Sequence, residues 1–141
     1  MATIKSFTDL SQSKTLSKIL KFESADMYWW YSGKRYYIEA MDDGDFNEEE
    51  GHIRAWSLAA LLDIMPNEII TDDRFECHYQ IHIRKYNGGD NTTLYQIAYG
   101  NNRGLSGSWH DMINTGEKES LIDCCVQMIL NLHEQNFCDY G

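Results

Sequence analysis

The most regular pattern of apolar and polar positions lies between residues 74 and 100. Apolar and polar side chains alternate along residues 75–84, and this period of two is typical of a strand with one buried face. The sequence NGGD at residues 87–90 supplies residues that accept the positive φ angles of a hairpin turn. Because the alternation resumes at residues 95–99, we predict one antiparallel hairpin here.

A second hairpin is predicted earlier in the chain. Two aromatic-rich runs, residues 25–31 and 35–41, flank a Ser-Gly turn at Ser32 and Gly33. Asp42 then begins an acidic stretch, DDGDFNEEEG, which we expect to form a surface loop.

Three helices are predicted from apolar spacing. The clearest covers residues 55–66, with Ser57 at the N-cap position and Pro66 ending the run. A first helix is expected after Thr8, which is a candidate cap. The last starts near Ser120, and apolar residues cover most of its circumference. We therefore expect this last helix to be buried, against the sheet or at a subunit interface.

The order of these elements determines the predicted fold class. Residues 101–116 are polar and glycine-rich, and we expect them to be irregular. The order α-β-β-α-β-β-α lacks the strand-crossover-strand pattern of a parallel sheet. We predict an α+β fold, with an antiparallel sheet of about four strands in two hairpins and three helices packed mainly on one face.

Three segments together resemble a known group of proteins. They are ESADM at residues 23–27, AWSLAALLDIMP at 55–66 and DCCVQMILNL at 123–132. In that order they resemble small uncharacterised proteins carried by phages and mobile elements of gut Bacteroidetes, over about two-thirds of the chain. Cys124 stands where Ala would be expected, and Leu121 where Pro would be expected. The resemblance implies a bacterial or phage origin and an accessory role, and it carries no functional residues.

Composition narrows the class of protein. A chain of 141 residues with 43% apolar residues fits one globular domain, residues 1–141. The net charge of -10 argues against nucleic acid or a membrane surface as a partner. The N-terminal residues MATIKSFTDL contain no apolar signal region, so we expect a cytoplasmic protein.

Sites for metals and for catalysis find little support. His78 and His82 share one face of the predicted strand, but their Cα atoms would lie about 13 Å apart, which is too far for one zinc ion. The acidic loop lacks the glycine and the final glutamate of a calcium-binding EF-hand. Cys124 and Cys125 lie early in the last helix, where apolar neighbours disfavour a thiolate. We therefore assign no catalytic residue, metal or cofactor.

The aromatic hairpin is the strongest functional indication. Its side chains alternate between two faces, so one layer of helices cannot bury all of them. Exposed Trp and Tyr are frequent at protein interfaces. The candidate binding residues are Trp29, Trp30, Tyr31, Tyr36, Tyr37, His78 and His82.

Three functions remain open. The sequence favours a non-enzymatic interaction module that binds a protein partner or a second copy of itself. A small-ligand binder or small enzyme using the polar face of the sheet is an alternative, and that face would carry Glu76, His78, Gln80, His82 and Arg84. An acidic DNA mimic that inhibits a host enzyme is the third.

Overall fold

A computed structural model describes residues 5–42, 44–71, 77–103 and 107–138. Within these ranges the chain forms three α-helices and two antiparallel sheets, which confirms the predicted α+β class. The elements are α1 (Leu10–Ser17), β1 (Met27–Tyr31), β2 (Tyr36–Ala40), β3 (Ile53–Ala55), α2 (Leu58–Ile64), β4 (Glu68–Ile70), β5 (His78–Asn87), β6 (Thr93–Arg103), β7 (Ser108–Asn114) and α3 (Leu121–Glu134).

The aromatic hairpin forms a small sheet with the strand order β2-β1-β3. Trp30 pairs with Tyr37 in its register, as expected for the predicted hairpin. The third strand was missed, because Ala55 was assigned to the following helix. The helix begins instead after Ser57, whose hydroxyl accepts a hydrogen bond from the backbone N–H of Ala60 at 3.2 Å. The predicted cap is therefore confirmed, and the predicted start at residue 55 is corrected.

The second hairpin is the centre of a larger sheet with the order β4-β5-β6-β7. The predicted pairing of its two strands is confirmed, with Ile83 opposite Ile97. The start of the predicted alternation, residues 74–76, lies outside the described residues. In the turn, positive φ angles occur at Gly89, Asp90 and Asn91, so the reversal sits slightly later than predicted.

The prediction of an irregular segment at residues 101–116 is wrong for most of its described part. Residues 101–103 extend β6. Strand β7 pairs antiparallel with β6, and the register shifts at a β-bulge near Gly100. The bulge interrupts the simple alternation, and polar side chains on the outward face satisfy one another. For both reasons the spacing of apolar residues did not predict this strand. Residues 104–106 lie outside the described part of the chain.

The first helix is capped by Asp9 and not by Thr8. Asp9 Oδ1 accepts from the N–H of Gln12 at 2.8 Å, and Gln12 Oε1 accepts from the N–H of Asp9 at 3.1 Å, which is a capping box. Thr8 is fully buried, and its hydroxyl lies 2.7 Å from that of Ser13 and accepts from the N–H of Trp56 at 3.1 Å. Thr8 therefore links α1 to the segment between β3 and α2.

The last helix is buried within the chain, packed between β6 and α2. Its fully buried or nearly buried residues are Ile122, Cys124, Cys125, Val126, Met128, Ile129 and Leu132. Ser120 caps it, accepting from the N–H of Asp123 at 3.3 Å. The Asp123 carboxylate also accepts from Lys5 and Gln12, each at 2.8 Å, and so ties α3 to the N-terminal segment. No helix among the described residues has the length and apolar character needed to cross a membrane.

We predict that Leu132→Ala lowers the free energy of unfolding by about 3 kcal/mol, because a fully buried side chain leaves a cavity between α3 and its neighbours. Glu134→Ala, on the exposed end of the same helix, should change it by less than about 0.5 kcal/mol. Urea denaturation measures both. Equal effects of the two substitutions would contradict the central place of α3 in the core.

Candidate functional site

The hairpin tip, defined as residues 30–37, carries aromatic pairs on both faces of its ribbon. On one face the rings of Trp30 and Tyr37 stack with centroids 4.9 Å apart and planes inclined by 24°. On the other face Tyr31 lies against Tyr36, with centroids 5.0 Å apart. The cross-strand register places the members of each pair directly opposite one another. Stacking of this kind stiffens the ribbon.

The exposure of the aromatic side chains increases from the base of the hairpin to its tip. Tyr28, at the base, is only 3% exposed and stacks on His52. Tyr31 is 56% exposed, and Tyr36 and Tyr37 are each 37% exposed. Phe46 and His52 pack on Tyr28 at the base, whereas the aromatic side chains of the tip are more exposed. Of the six aromatic residues in the hairpin, three are exposed, as a ribbon with two aromatic faces requires.

Two neighbouring tryptophans of the hairpin have opposite environments. Trp29 donates its indole N–H to the backbone oxygen of Thr8 at 3.1 Å and meets the edge of Phe7. Trp30 Nε1 is shielded from solvent and has no hydrogen-bond partner among the described residues. An unpaired buried donor costs free energy, about 1–3 kcal/mol in proteins. Trp29 therefore anchors the hairpin to the fold, whereas the N–H of Trp30 is buried without an acceptor among the described residues.

The turn of the hairpin adds positive charge beside the aromatic rings. The guanidinium of Arg35 lies over the ring of Tyr37 at 4.5 Å from its centroid. This cation–π contact orients Arg35 along the ribbon. Sequence reasoning did not single out Arg35. Its position next to the turn and two residues from Tyr37 was the available signal, since residues two apart on a strand share a face.

The polar face is the second candidate surface, namely the side of the four-stranded sheet that faces away from α3. It carries His82, Arg84, Trp109 and Asp111. The ring of His82 stacks on that of Trp109, with centroids 3.5 Å apart and planes inclined by 12°. Gly100 makes this packing possible, because a Cβ atom there would clash with the indole of Trp109 and with a backbone oxygen of β7.

Asp111 is the hub of hydrogen bonds on the polar face. Its carboxylate accepts hydrogen bonds from both terminal nitrogens of Arg84, at 2.9 and 2.6 Å, and from the indole N–H of Trp109 at 2.7 Å. The hydrogen bond from Arg84 holds the pKa of Asp111 below its ordinary value, and the same bond raises the pKa of Arg84. The sequence did place Arg84 on this face, and the Trp-x-Asp spacing of β7 was the missed signal for the rest.

The remaining candidate groups are not assembled into a reactive centre within the described residues. His78 lies 3.4 Å from Glu68, apart from the stack formed by His82. No three metal-ligating side chains are grouped in this part of the chain. Burial raises the pKa of Cys124, and raises that of Cys125 to about 12, so both hold their protons at neutral pH. In the acidic loop, Asp43 lies outside the described residues, and the side chain of Asn47 accepts from the N–H of Glu49.

A shallow depression open to solvent lies at the turn between β5 and β6. Its lining residues are Lys85, Tyr86, Asn87, Asn91, Thr92 and Thr93. Polar and apolar atoms contribute about equally to its lining. It offers little of the enclosure that small-molecule sites provide.

Comparison with known proteins gave no match to any family model, curated protein or solved structure. The geometry therefore carries the functional argument. The hairpin tip offers exposed aromatic surface, whereas Arg84 and Asp111 of the polar face are already bound to one another.

We predict that Asp111→Asn lowers the free energy of unfolding by about 1 kcal/mol at pH 7, since it removes the charged hydrogen bonds to Arg84. The folded pKa of Asp111 is depressed, so its stabilisation is fully present above the unfolded value of about 3.9 and is lost as the pH falls through the folded pKa. The two proteins should therefore converge in stability at acid pH.

Urea denaturation between pH 2 and pH 7 measures this convergence. Asp63→Asn is a matched control, because Asp63 is exposed on α2 and makes no side-chain hydrogen bond to the described residues. A difference between wild type and Asp111→Asn that stays constant over the whole pH range would contradict the assignment.

Proposed function

We propose that the protein is a non-enzymatic interaction module whose recognition surface is the hairpin tip. The observation that carries this proposal is the exposed aromatic surface on both faces of the ribbon, with Tyr31 at 56% and Tyr37 at 37% exposure. Large aromatic side chains bury much area at little cost in conformational entropy, and they are frequent anchors of protein interfaces.

The rigidity of the tip supports this role. Trp29 fixes β1 to the N-terminal segment through Thr8, and β1 is paired on both sides near its start. The stacked ring pairs hold the outer part of the ribbon. A surface already held in one conformation loses less entropy when it binds.

Negative charge on the chain as a whole and near the base of the hairpin indicates the kind of partner. The net charge of the chain is -10, and Glu48, Glu49 and Glu50 are exposed in the loop region that covers the base of the hairpin. An aromatic-binding surface flanked by basic residues would complement this distribution, and association would be faster at low salt. In this proposal the protein is a cytoplasmic accessory protein of phage or mobile-element origin, and that part rests on the sequence resemblance alone.

We predict that a tagged Tyr31→Ser/Tyr37→Ser variant loses a partner that the wild-type protein captures from lysate of the organism encoding the chain. Quantitative mass spectrometry of the captured proteins gives the readout. Tyr86→Ser is the matched control, because Tyr86 is also 37% exposed but lies on β5, away from the tip. The control should retain the partner at wild-type levels.

Trp30→Phe gives a sharper version of the same experiment. It removes an N–H that has no partner among the described residues and reduces the ring area of the stacked pair with Tyr37, so capture should fall more than stability does. Trp29→Phe removes a donor that is already used and should lower the free energy of unfolding by about 1 kcal/mol more than Trp30→Phe. If the tip variants capture the same partner as wild type, the polar face around His82 and Trp109 becomes the better candidate.

A further inference from the structure

The outer edge of β2 has backbone groups that find no partner within the described part of the chain. Ser32 N–H donates to the backbone oxygen of Arg35, and Met41 N–H donates to that of Asp26. These two bonds show which residues of β2 direct their backbone groups toward β1 and which direct them outward. Arg35, Tyr37, Glu39 and Met41 direct their backbone groups toward β1, so the residues between them direct theirs outward. The outward residues are Tyr36, Ile38 and Ala40, and none makes a backbone hydrogen bond on that side among the described residues.

Within Tyr36–Ala40 this edge has no proline, no bulge and no charged outward-directed residue. Proteins block such edges with proline, inward-pointing charge, bulges or lysine. Tyr36, Ile38 and Ala40 are uncharged, and the pairing of β2 with β1 contains no bulge. The open half of β5 differs, because the hydrogen bond from Ile81 to Asn67 places Lys85 among its outward-directed residues. Of these two edges, β2 is the one suited to accept another strand.

We propose that the strand added at this edge is β2 of a second copy, paired antiparallel about a two-fold axis at Ile38. This inference rests on the proposed function, since it makes the aromatic hairpin an interaction surface. The axis pairs Ile38 with its own symmetry mate, and Tyr36 with Ala40 of the second copy. Each outward residue then donates and accepts one hydrogen bond, and the two small sheets become one continuous sheet.

Charge complementarity selects this orientation. Residues equally distant from Ile38 on opposite sides meet, so Lys34 faces Asp42 of the second copy. Tyr37 faces Glu39 of the second copy, and the guanidinium of Arg35 already lies over the Tyr37 ring, diagonal to that carboxylate. A parallel pairing in register would instead place Lys34 against Lys34 and Glu39 against Glu39. The antiparallel pairing therefore joins opposite charges, and the parallel one joins like charges.

A charge swap tests the register with the full-length protein. We expect sedimentation equilibrium to show a monomer–dimer equilibrium for the wild type. Lys34→Glu and Asp42→Lys should each weaken the dimer about tenfold, because each places like charges at two symmetric positions. The double variant should return to within about twofold of the wild-type dissociation constant. Lys85→Glu makes the same charge change on β5 and should leave dimerisation unchanged.

Ile38→Pro tests the backbone hydrogen bonds. It removes the outward N–H at the axis, and proline is tolerated on edge strands when that N–H faces away from the sheet. We expect loss of the dimer with an unchanged circular dichroism spectrum. A dimer that persists in this variant, or a double charge variant no better than the two single ones, would overturn the proposed pairing.

The outcomes also separate this inference from the proposed function. A wild-type protein that stays monomeric at millimolar concentration overturns self-pairing, whatever the capture experiment shows. If that monomer still captures a partner through Tyr31 and Tyr37, the hairpin tip remains the recognition surface and only the second copy is excluded.

Discussion

The burial of α3 is the interaction on which the rest of the structure depends. This helix packs between β6 of the larger sheet and α2, and its Asp123 carboxylate holds the N-terminal segment through Lys5 and Gln12. The backbone oxygen of Thr8 then connects that segment to the smaller sheet, because it accepts the indole N–H of Trp29. A helix that is apolar around most of its circumference is unfavourable in water, and in covering it the chain brings the larger sheet and all three helices into one core.

The sequence predicted those elements in which local pattern and tertiary environment agree. The hairpin of β5 and β6 follows its alternation, and Ser57 and Ser120 cap their helices as expected. The short strand β3 was hidden because a three-residue strand has too few positions to show a period. Strand β7 was missed for another reason. Its Asp111 accepts hydrogen bonds from Trp109 and from the distant Arg84, and pairing over such a distance in sequence leaves no local pattern.

The candidate site also has one part that the sequence could predict and one part that it could not. That the aromatic ribbon must expose part of its surface follows from the alternation of side chains, and the sequence alone was sufficient for this conclusion. The separate roles of Trp29 and Trp30 could not be predicted. They depend on the backbone oxygen of Thr8, which is distant in sequence and reaches Trp29 only after the N-terminal segment has packed. The two adjacent tryptophans differ because the indole N–H of Trp29 meets a backbone acceptor and that of Trp30, although buried, meets none among the described residues.

The packing of Trp109 has a consequence for water at the larger sheet. Ala98 is fully buried although it lies on the polar face, since its β5 neighbour in the register is His82, whose ring stacks on Trp109. The bulge beside Gly100 would normally admit solvent to the ladder between β6 and β7, because register shifts leave backbone groups unpaired. The indole of Trp109 lies against Gly100 and covers the bulge. Amide exchange with solvent should therefore be slow at the one place in the ladder where irregular pairing would otherwise make it fast.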